Sequence, residues 1–178
     1  MLKVLKILGM VVVLAVLAVV VLALTKPDSF EVKRSADVAA PPEKIVASLS
    51  DFHAWTAWSP WEKLDPGMKK SFSGPPSGVG SVYEWSGNSK AGAGRMEITE
   101  VTPAKVSIKL DFLKPFEAHN VVDFLLEPKG EATHVTWIMR GKNNFLAKVM
   151  QVFVSMDKLI GKDFEAGLAA LKTAAEKS

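Results

Sequence analysis

Apolar residues near the end of the chain recur at the spacing of an α-helix. From Met156 onward they follow one another at intervals of three or four residues, so they share one side of a helix. The segment before them, residues 145–154, is apolar on almost every side, which is typical of a helix covered on most sides. The pattern predicts one long helix over residues 143–176, with Asn143 or Asn144 as its N-cap.

Two glycines, Gly161 and Gly167, interrupt this predicted helix. In a helix interior, each glycine costs about 1 kcal/mol relative to alanine. We therefore expect the helix backbone to approach the sheet closely at both positions, where a larger side chain would be in the way.

Most of the chain before this helix alternates between apolar and polar residues, as half-buried strands do. Seven strands are predicted, over residues 30–39, 68–73, 82–86, 95–101, 105–113, 117–126 and 133–139. Short turns predict antiparallel pairing, and one apolar face per strand predicts that only one face of the sheet packs on protein. The sequence thus predicts an α+β fold, in which a seven-stranded antiparallel sheet curls round the long C-terminal helix. Residues 68–73 are expected at a sheet edge.

A short helix over residues 41–50 is predicted between the first two strands. After it come Trp55, Trp58 and Trp61, three of the five tryptophans within seven residues. Pro60 prevents a long helix here, so we expect a short helix and then a loop that carries Trp58 and Trp61. These rings either plug one end of the core or line a chamber for a ligand, and one segment can do both.

The start of the chain has the composition of a membrane segment. Residues 7–24 carry no charge, and these eighteen residues would form a helix about 27 Å long, close to a bilayer core of roughly 30 Å. A cleaved signal peptide and an uncleaved anchor both fit. The run exceeds the apolar core of about 7–15 residues in a signal peptide, so we predict a transmembrane anchor over residues 1–25. A linker over residues 26–29 and one domain over residues 30–178 follow.

Basic residues lie on both sides of this span, so charge does little to orient it. Lys3 and Lys6 precede the span, and Lys26, Lys33 and Arg34 follow it. We expect a single-pass membrane protein with its N-terminus inside and its domain on the extracytoplasmic side, as in a signal-anchor.

Composition excludes some classes of function. The chain has no cysteine, which excludes disulfide bonds and thiolate zinc sites. Its net charge is +3, and outside the two lysines of residues 1–25 it holds 20 basic and 19 acidic residues. Because no stripe of lysine and arginine is present, no nucleic-acid partner is expected. We expect a monomer.

Few residues suggest catalysis or metal binding. His53, His119 and His134 lack the spacing of a metal site, and no GxSxG nucleophile elbow or phosphate loop is present. We therefore predict no metal, no cofactor and no catalytic residue. Charged strand residues are expected mostly on a solvated face, whereas Asn120 falls among inward apolar residues. It either bonds to neighbouring backbone or water, or anchors a ligand.

Large inward side chains exceed what one helix easily covers, and this surplus predicts an internal chamber. The candidate lining residues are Trp55, Trp58, Tyr83, Trp85, Phe112, Asn120, Phe124, Trp137, Met139, Met150 and Phe153. All but Asn120 are aromatic or methionine, so the expected ligand is a hydrophobic small molecule or a lipid.

Several short segments, in order along the chain, resemble sequences of one superfamily. They are residues 40–44 (APPEK), 58–62 (WSPWE), 78–80 (GVG) with 83–85 (YEW), 94–98 (GRMEI), 125–128 (LLEP), 136–137 (TW) and 162–168 (KDFEAGL). With the order of the elements, they resemble the helix-grip fold of the START-like or SRPBCC superfamily over residues 30–174, in its bacterial branch. That group includes polyketide cyclase/dehydrase-type and lipid-transport proteins, and has no single catalytic motif to transfer.

Three functions are compatible with this resemblance. The first, which we favour, is a membrane-tethered module that binds or transports a hydrophobic small molecule or lipid in an internal cavity. The second is a polyketide cyclase- or dehydratase-like enzyme, which needs acid–base groups inside the chamber, where the sequence supplies few. The third is a protein-interaction or co-chaperone module, which predicts a filled core and an exposed apolar patch.

Overall fold

The strands form one antiparallel sheet in the computed structural model, which describes residues 1–177. They are β1 Ser29–Val38, β2 Lys69–Ser73, β3 Val82–Ser86, β4 Ala93–Thr102, β5 Lys105–Lys114, β6 Ala118–Lys129 and β7 Ala132–Lys142. They lie in the order β1-β7-β6-β5-β4-β3-β2, so β2 to β7 form a meander and β1 pairs with the last strand. The seven strands, their antiparallel pairing and the edge position of β2 confirm the prediction.

Four α-helices accompany the sheet. They are α1 Leu2–Leu24, α2 Pro42–Ser50, α3 Phe145–Phe153 and α4 Met156–Lys177, with short 3₁₀ helices at Ala54–Ala57 and Pro60–Lys63. α2 and α4 cover the inner face of the sheet, α1 precedes it, and α3 lies against α1. α4 packs along β1, and α2 lies over β4, β5 and β6. Residues 54–63, here called the tryptophan segment, lie beside both helices. Trp61 belongs to the second 3₁₀ helix rather than to the predicted loop.

The C-terminal helix differs from its prediction because it is broken into two pieces. Val154 has extended backbone angles, and it separates α3 from α4. Asn144, one of the two expected caps, accepts a hydrogen bond from the backbone N–H of Ala147 at 2.8 Å. The apolar stripe of α4 faces the core, where Phe164 and Leu168 are buried.

α3 is exposed on its apolar side, which contradicts the expectation that residues 145–154 are covered. The side chains of Phe145, Met150 and Phe153 are 53%, 45% and 71% exposed. α4 and the tryptophan segment occupy the inner face of the sheet, so α3 packs against α1 instead.

The glycines of α4 lie against side chains of the sheet, as predicted. A Cβ atom at Gly167 would lie 2.7 Å from the Trp137 ring and 3.2 Å from Cδ of Pro60. At Gly161 it would overlap the guanidinium of Arg34, which forms ion pairs with two carboxylates of α4. The missing side chains let α4 lie close to β1 and β7.

Gly167→Ala is expected to lower the free energy of unfolding by about 1–3 kcal/mol, because its methyl group would press on the Trp137 ring. Alanine otherwise stabilises a helix interior by about 1 kcal/mol relative to glycine, so the sign separates packing from helix propensity. Urea unfolding of the full chain in detergent micelles measures the change. Ala169→Gly, at an exposed position of α4, controls for propensity. A more stable Gly167→Ala protein would contradict the prediction.

The outer face of the sheet holds a buried polar network rather than only the solvated residues that were expected. Asp123 accepts hydrogen bonds from Ser107 Oγ at 2.6 Å and from Arg140 Nη1 at 2.8 Å. Asp123 and Ser107 are both buried. These bonds tie β5, β6 and β7 together on the side that faces away from the helices.

One set of strand ends lies beside α1, because β1 begins shortly after α1 ends. Ser29 at the start of β1 pairs with Lys142 at the end of β7. The antiparallel order places the β3–β4 and β5–β6 turns at this same end, here called the α1 end of the sheet. α2 and the other three turns lie at the opposite end. α1 itself is long and apolar enough to cross a membrane.

Candidate functional site

A cavity of about 360 Å³ lies between the inner face of the sheet, α4 and the tryptophan segment. Its wall is mostly aromatic, aliphatic and methionine. The predicted residues found in this wall are Trp55, Tyr83, Trp85, Phe112, Trp137 and Met139. The strand alternation and the tryptophan spacing therefore located much of the wall on the sheet side, and the role of these residues in binding stays a prediction.

Other wall residues were missing from the predicted set. β4, β5 and β6 contribute Met96, Leu110 and Val122, and α4 contributes Met156, Ile160 and Phe164. Strand alternation and the helical stripe mark all of them as inward. An inward pattern does not separate the wall of a cavity from a filled core, however, so this signal alone could not have identified them.

Five predicted lining residues lie outside the wall. Met150 and Phe153 project from the exposed face of α3, because the break at residue 154 turns α3 away from the sheet, and their assignment to the chamber was wrong. Trp58 and Phe124 are buried within the packed core. Asn120 is buried beside the backbone of Gly141, near the α1 end of β6.

Aromatic rings fill part of the interior next to the cavity. The Trp137 ring stacks on Phe164 with centroids 4.3 Å apart and lies 4.8 Å from Phe124. Trp58 and Trp61 meet it edge-on at 5.7 and 5.5 Å. These five rings, here called the aromatic cluster, connect β6, β7, α4 and the tryptophan segment. Trp137 is the one that contacts the other four.

Two indole N–H groups of this cluster, those of Trp58 and Trp137, have no hydrogen-bond partner within residues 1–177. Trp58 meets both Trp137 and Phe124 edge-on. In such an arrangement an N–H group can be directed at the π face of a neighbouring ring. The contribution of these residues to stability therefore comes from packing rather than from conventional hydrogen bonds.

The cavity is closed near α2 and reaches the surface near the α1 end of the sheet. At the closed end Trp55 is buried, and its Nε1 donates a hydrogen bond to the carbonyl of Leu49 at 3.1 Å. At the open end the wall includes the exposed Leu64 and Lys90 and the half-buried Met156. Lys90 lies in the β3–β4 turn and Met156 begins α4, so these two elements border the mouth.

One carboxylate in the wall is held by two donors. Glu62, whose side chain is only 8% exposed, accepts a hydrogen bond from the Tyr83 hydroxyl at 2.8 Å and pairs with Lys70. Burial, with the Glu62 hydrogen bond, raises the pKa of Tyr83 far above its ordinary value, so its phenol remains a donor. A mostly apolar wall in which Glu62 is held in place, with Ser59, Lys90 and Asp163 as further polar residues, suits a mostly apolar ligand that has a polar end.

Most of the chain matches the sequence profile of one protein family. The profile of the family described as polyketide cyclase / dehydrase and lipid transport matches residues 29–176. No curated protein matches the chain in sequence.

Solved structures from several bacteria share its fold. Protein CV1439 from Chromobacterium violaceum superposes with a TM-score of 0.58 at 15% identity, over 85% of this chain and 99% of that chain. The Aha1 dimer from Colwellia psychrerythraea gives 0.58 at 19%, over 83% and 96%. Protein jhp0584 from Helicobacter pylori gives 0.61 at 13%, over 85% and 90%. At these identities the likeness concerns the fold alone.

Proposed function

Because the chain belongs to the polyketide cyclase / dehydrase and lipid transport family, within the START-like superfamily, we propose that it binds a hydrophobic small molecule or lipid in its internal cavity. The observation that carries this proposal is the cavity of about 360 Å³ with its mainly apolar wall. An empty cavity of this size lowers the stability of a small domain. A hydrophobic ligand that fills the cavity restores the missing contacts with its wall.

The size of the cavity limits the ligand. Ligand pockets usually measure about 300–1,000 Å³, so a cavity of about 360 Å³ lies at the small end of that range. It suits a compact ring system or a single acyl chain better than a whole two-chain lipid. Glu62 in the wall and Lys90 at the mouth provide polar contacts for the end of such a ligand.

The second part of the proposal is that α1 stays attached and tethers the domain to a membrane, with the domain on the extracytoplasmic side. Its uncharged stretch is longer than the apolar core of a signal peptide. Ala23 in its last turn is fully buried, and α3 is the element packed against α1. A helix that completes a packed contact has a structural reason to be retained.

Native mass spectrometry of the full-length protein, released from lipid nanodiscs, tests ligand binding and the retention of α1 in one spectrum. We expect an intact N-terminus and an adduct of small-molecule mass that dissociates on activation. Absence of any adduct, together with no binding of fluorescent fatty acids, would remove the binding function. A protein that has lost residues 1–25 but keeps the adduct would overturn the tether alone.

A further inference from the structure

α3 has an apolar face that the rest of the chain does not cover. At about 100° per residue, Phe145, Leu146, Val149, Met150 and Phe153 fall within an arc of about 140°. Four of these five side chains are exposed, and Val149 is half-buried. Isolated exposed apolar residues are ordinary on a protein surface, but a contiguous apolar helix face marks a surface that meets lipid or another apolar partner.

The opposite side of α3 is bound to the chain that follows α1. Asn143 Nδ2, just before the helix, donates a hydrogen bond to the Pro27 carbonyl at 2.9 Å. Gln151 Nε2 donates to Asn143 Oδ1 at 2.7 Å, and Lys148 pairs with Asp28. These contacts hold the polar side of α3 against the linker and leave its apolar side facing away.

The position of α3 along α1 places it where a spanning helix leaves the hydrocarbon. Val19 and Val20 are half-buried and Ala23 is fully buried, so the contact with α3 involves the last turns of α1. α1 ends at Leu24, the residue after Ala23. If α1 spans a bilayer, α3 therefore lies at the level of the lipid headgroups and upper acyl chains.

A second apolar projection lies at the same end of the molecule. Leu113 and Phe116, beside the β5–β6 turn, are 57% and 54% exposed. This turn belongs to the α1 end of the sheet, as does the end of β7. Lys114 and Lys142 at this end are exposed cations that suit anionic lipid headgroups, with their stems along apolar surface.

We propose that α3 and the β5–β6 turn insert into the interfacial layer of the bilayer that α1 enters, so that the cavity mouth faces lipid. The cavity mouth lies next to α3. Met156, which borders the mouth, begins α4 only three residues after Phe153 ends α3. Lys90 of the β3–β4 turn borders the mouth at the same end of the sheet. A ligand could then pass between the bilayer and the cavity without crossing water. This proposal rests on the tether of the proposed function.

Because the chain has no cysteine, single cysteines can be labelled with the fluorophore NBD without further changes. The test uses the full chain in nanodiscs of phosphatidylcholine and phosphatidylglycerol, in two sets whose lipids carry a nitroxide quencher either near the headgroup, to reach positions 153 and 116, or deep in the acyl chain, to reach position 13. The test positions are Phe153→Cys and Phe116→Cys. Val13→Cys in α1 reports the membrane, and Val79→Cys, an exposed apolar residue at the opposite end of the sheet, reports water. We expect quenching at 153 and 116 to exceed that at 79 by roughly threefold.

The outcomes separate the proposals. If position 13 is quenched but the labels at 153 and 116 emit as in water, then α3 and the β5–β6 turn do not insert into the interfacial layer, and the tether is left intact. No quenching at position 13 would overturn the tether and, with it, the interfacial insertion of α3. A label at 153 that emits as in an apolar environment but is not quenched by the nitroxide lipids would mean that protein, such as a second copy of the chain, covers α3. This result also overturns the proposal.

Transfer of a fluorescent fatty acid from vesicles gives a functional readout. Phe145→Glu with Phe153→Glu is expected to slow uptake about tenfold, while the affinity measured in detergent stays unchanged. Val79→Glu is the matched control and should leave both unchanged. Normal uptake by the doubly charged variant would overturn lipid-facing entry. Failure of the unaltered protein to take up the probe would count against the binding function. Nitroxide quenching would still decide whether α3 and the β5–β6 turn insert into the interfacial layer.

Discussion

Val122→Phe is expected to lower the affinity of the cavity for a fluorescent fatty acid at least about tenfold, because the larger ring occupies space that the probe needs. Val122 is 4% exposed and lies in the cavity wall on β6. Filling an existing void does not require the displacement of packed neighbours, so the loss of stability should stay below the roughly 1–3 kcal/mol of an over-packed core. Fluorescence titration of the full chain in detergent measures the affinity.

Val121→Phe provides a closely matched control. Val121 is the preceding residue of the same strand, points to the opposite face of the sheet and is 48% exposed. The same change of side chain there should leave the affinity within about twofold of the unaltered protein. Equal losses in both variants would mean that the effect comes from β6 as a strand. No loss in Val122→Phe would show that the probe binds elsewhere.

Trp137→Ala is expected to lower the free energy of unfolding by about 3–5 kcal/mol, the usual cost of removing a large aromatic side chain from a core. Trp137 is 2% exposed, and its ring contacts the four other rings of the aromatic cluster. A loss of this size is a large share of the stability of a single domain. Urea unfolding followed by far-UV circular dichroism measures it without relying on the removed fluorophore.

Trp137→Phe isolates packing from the indole N–H group. Because that N–H has no hydrogen-bond partner within the described residues, its removal leaves no broken bond, and most of the ring contacts survive. The expected loss is therefore well under half of that for alanine, about 1–2 kcal/mol. Similar losses for phenylalanine and alanine would show that the N–H group, rather than the ring, carries the contribution.

Local periodicity was sufficient to predict the sheet. In β5, for example, Val106, Ile108 and Leu110 alternate with polar residues, and all three are buried on the inner face. A strand exposes successive side chains to opposite faces, so this pattern defines one apolar face whatever its partners are. Short turns then leave antiparallel pairing as the simple way to join neighbouring strands.

The break in the C-terminal helix shows where local pattern is insufficient. Val154 and Ser155 include neither glycine nor proline. Ser155 is of the N-cap type, and its Oγ accepts a hydrogen bond from the Lys158 N–H at 3.3 Å, but serine also occurs inside helices, so this one signal is too weak to predict the break. α3 leaves the line of α4 because its polar side binds the linker after α1 and its flank packs on α1. These partners lie more than 110 residues earlier in the chain, as the separations of the Asn143–Pro27 and Lys148–Asp28 bonds show.

The same limit applies to the cavity. Tyr83 and Phe124 have similar inward signals on their strands, yet Tyr83 lies in the cavity wall and Phe124 in the packed core. Which inward side chains leave space between them depends on where α4 and the tryptophan segment settle.

By itself, the sequence determined the class of fold, the seven strands, their inner face, the apolar N-terminal helix and the family resemblance, because each depends on the order and spacing of residues nearby in the chain. Only the tertiary structure decided which inward residues form the cavity wall, that α3 stands apart from α4, and that its apolar face is open beside α1. Those features depend on the distances between elements far apart in sequence, and these distances follow from the packing of all side chains together.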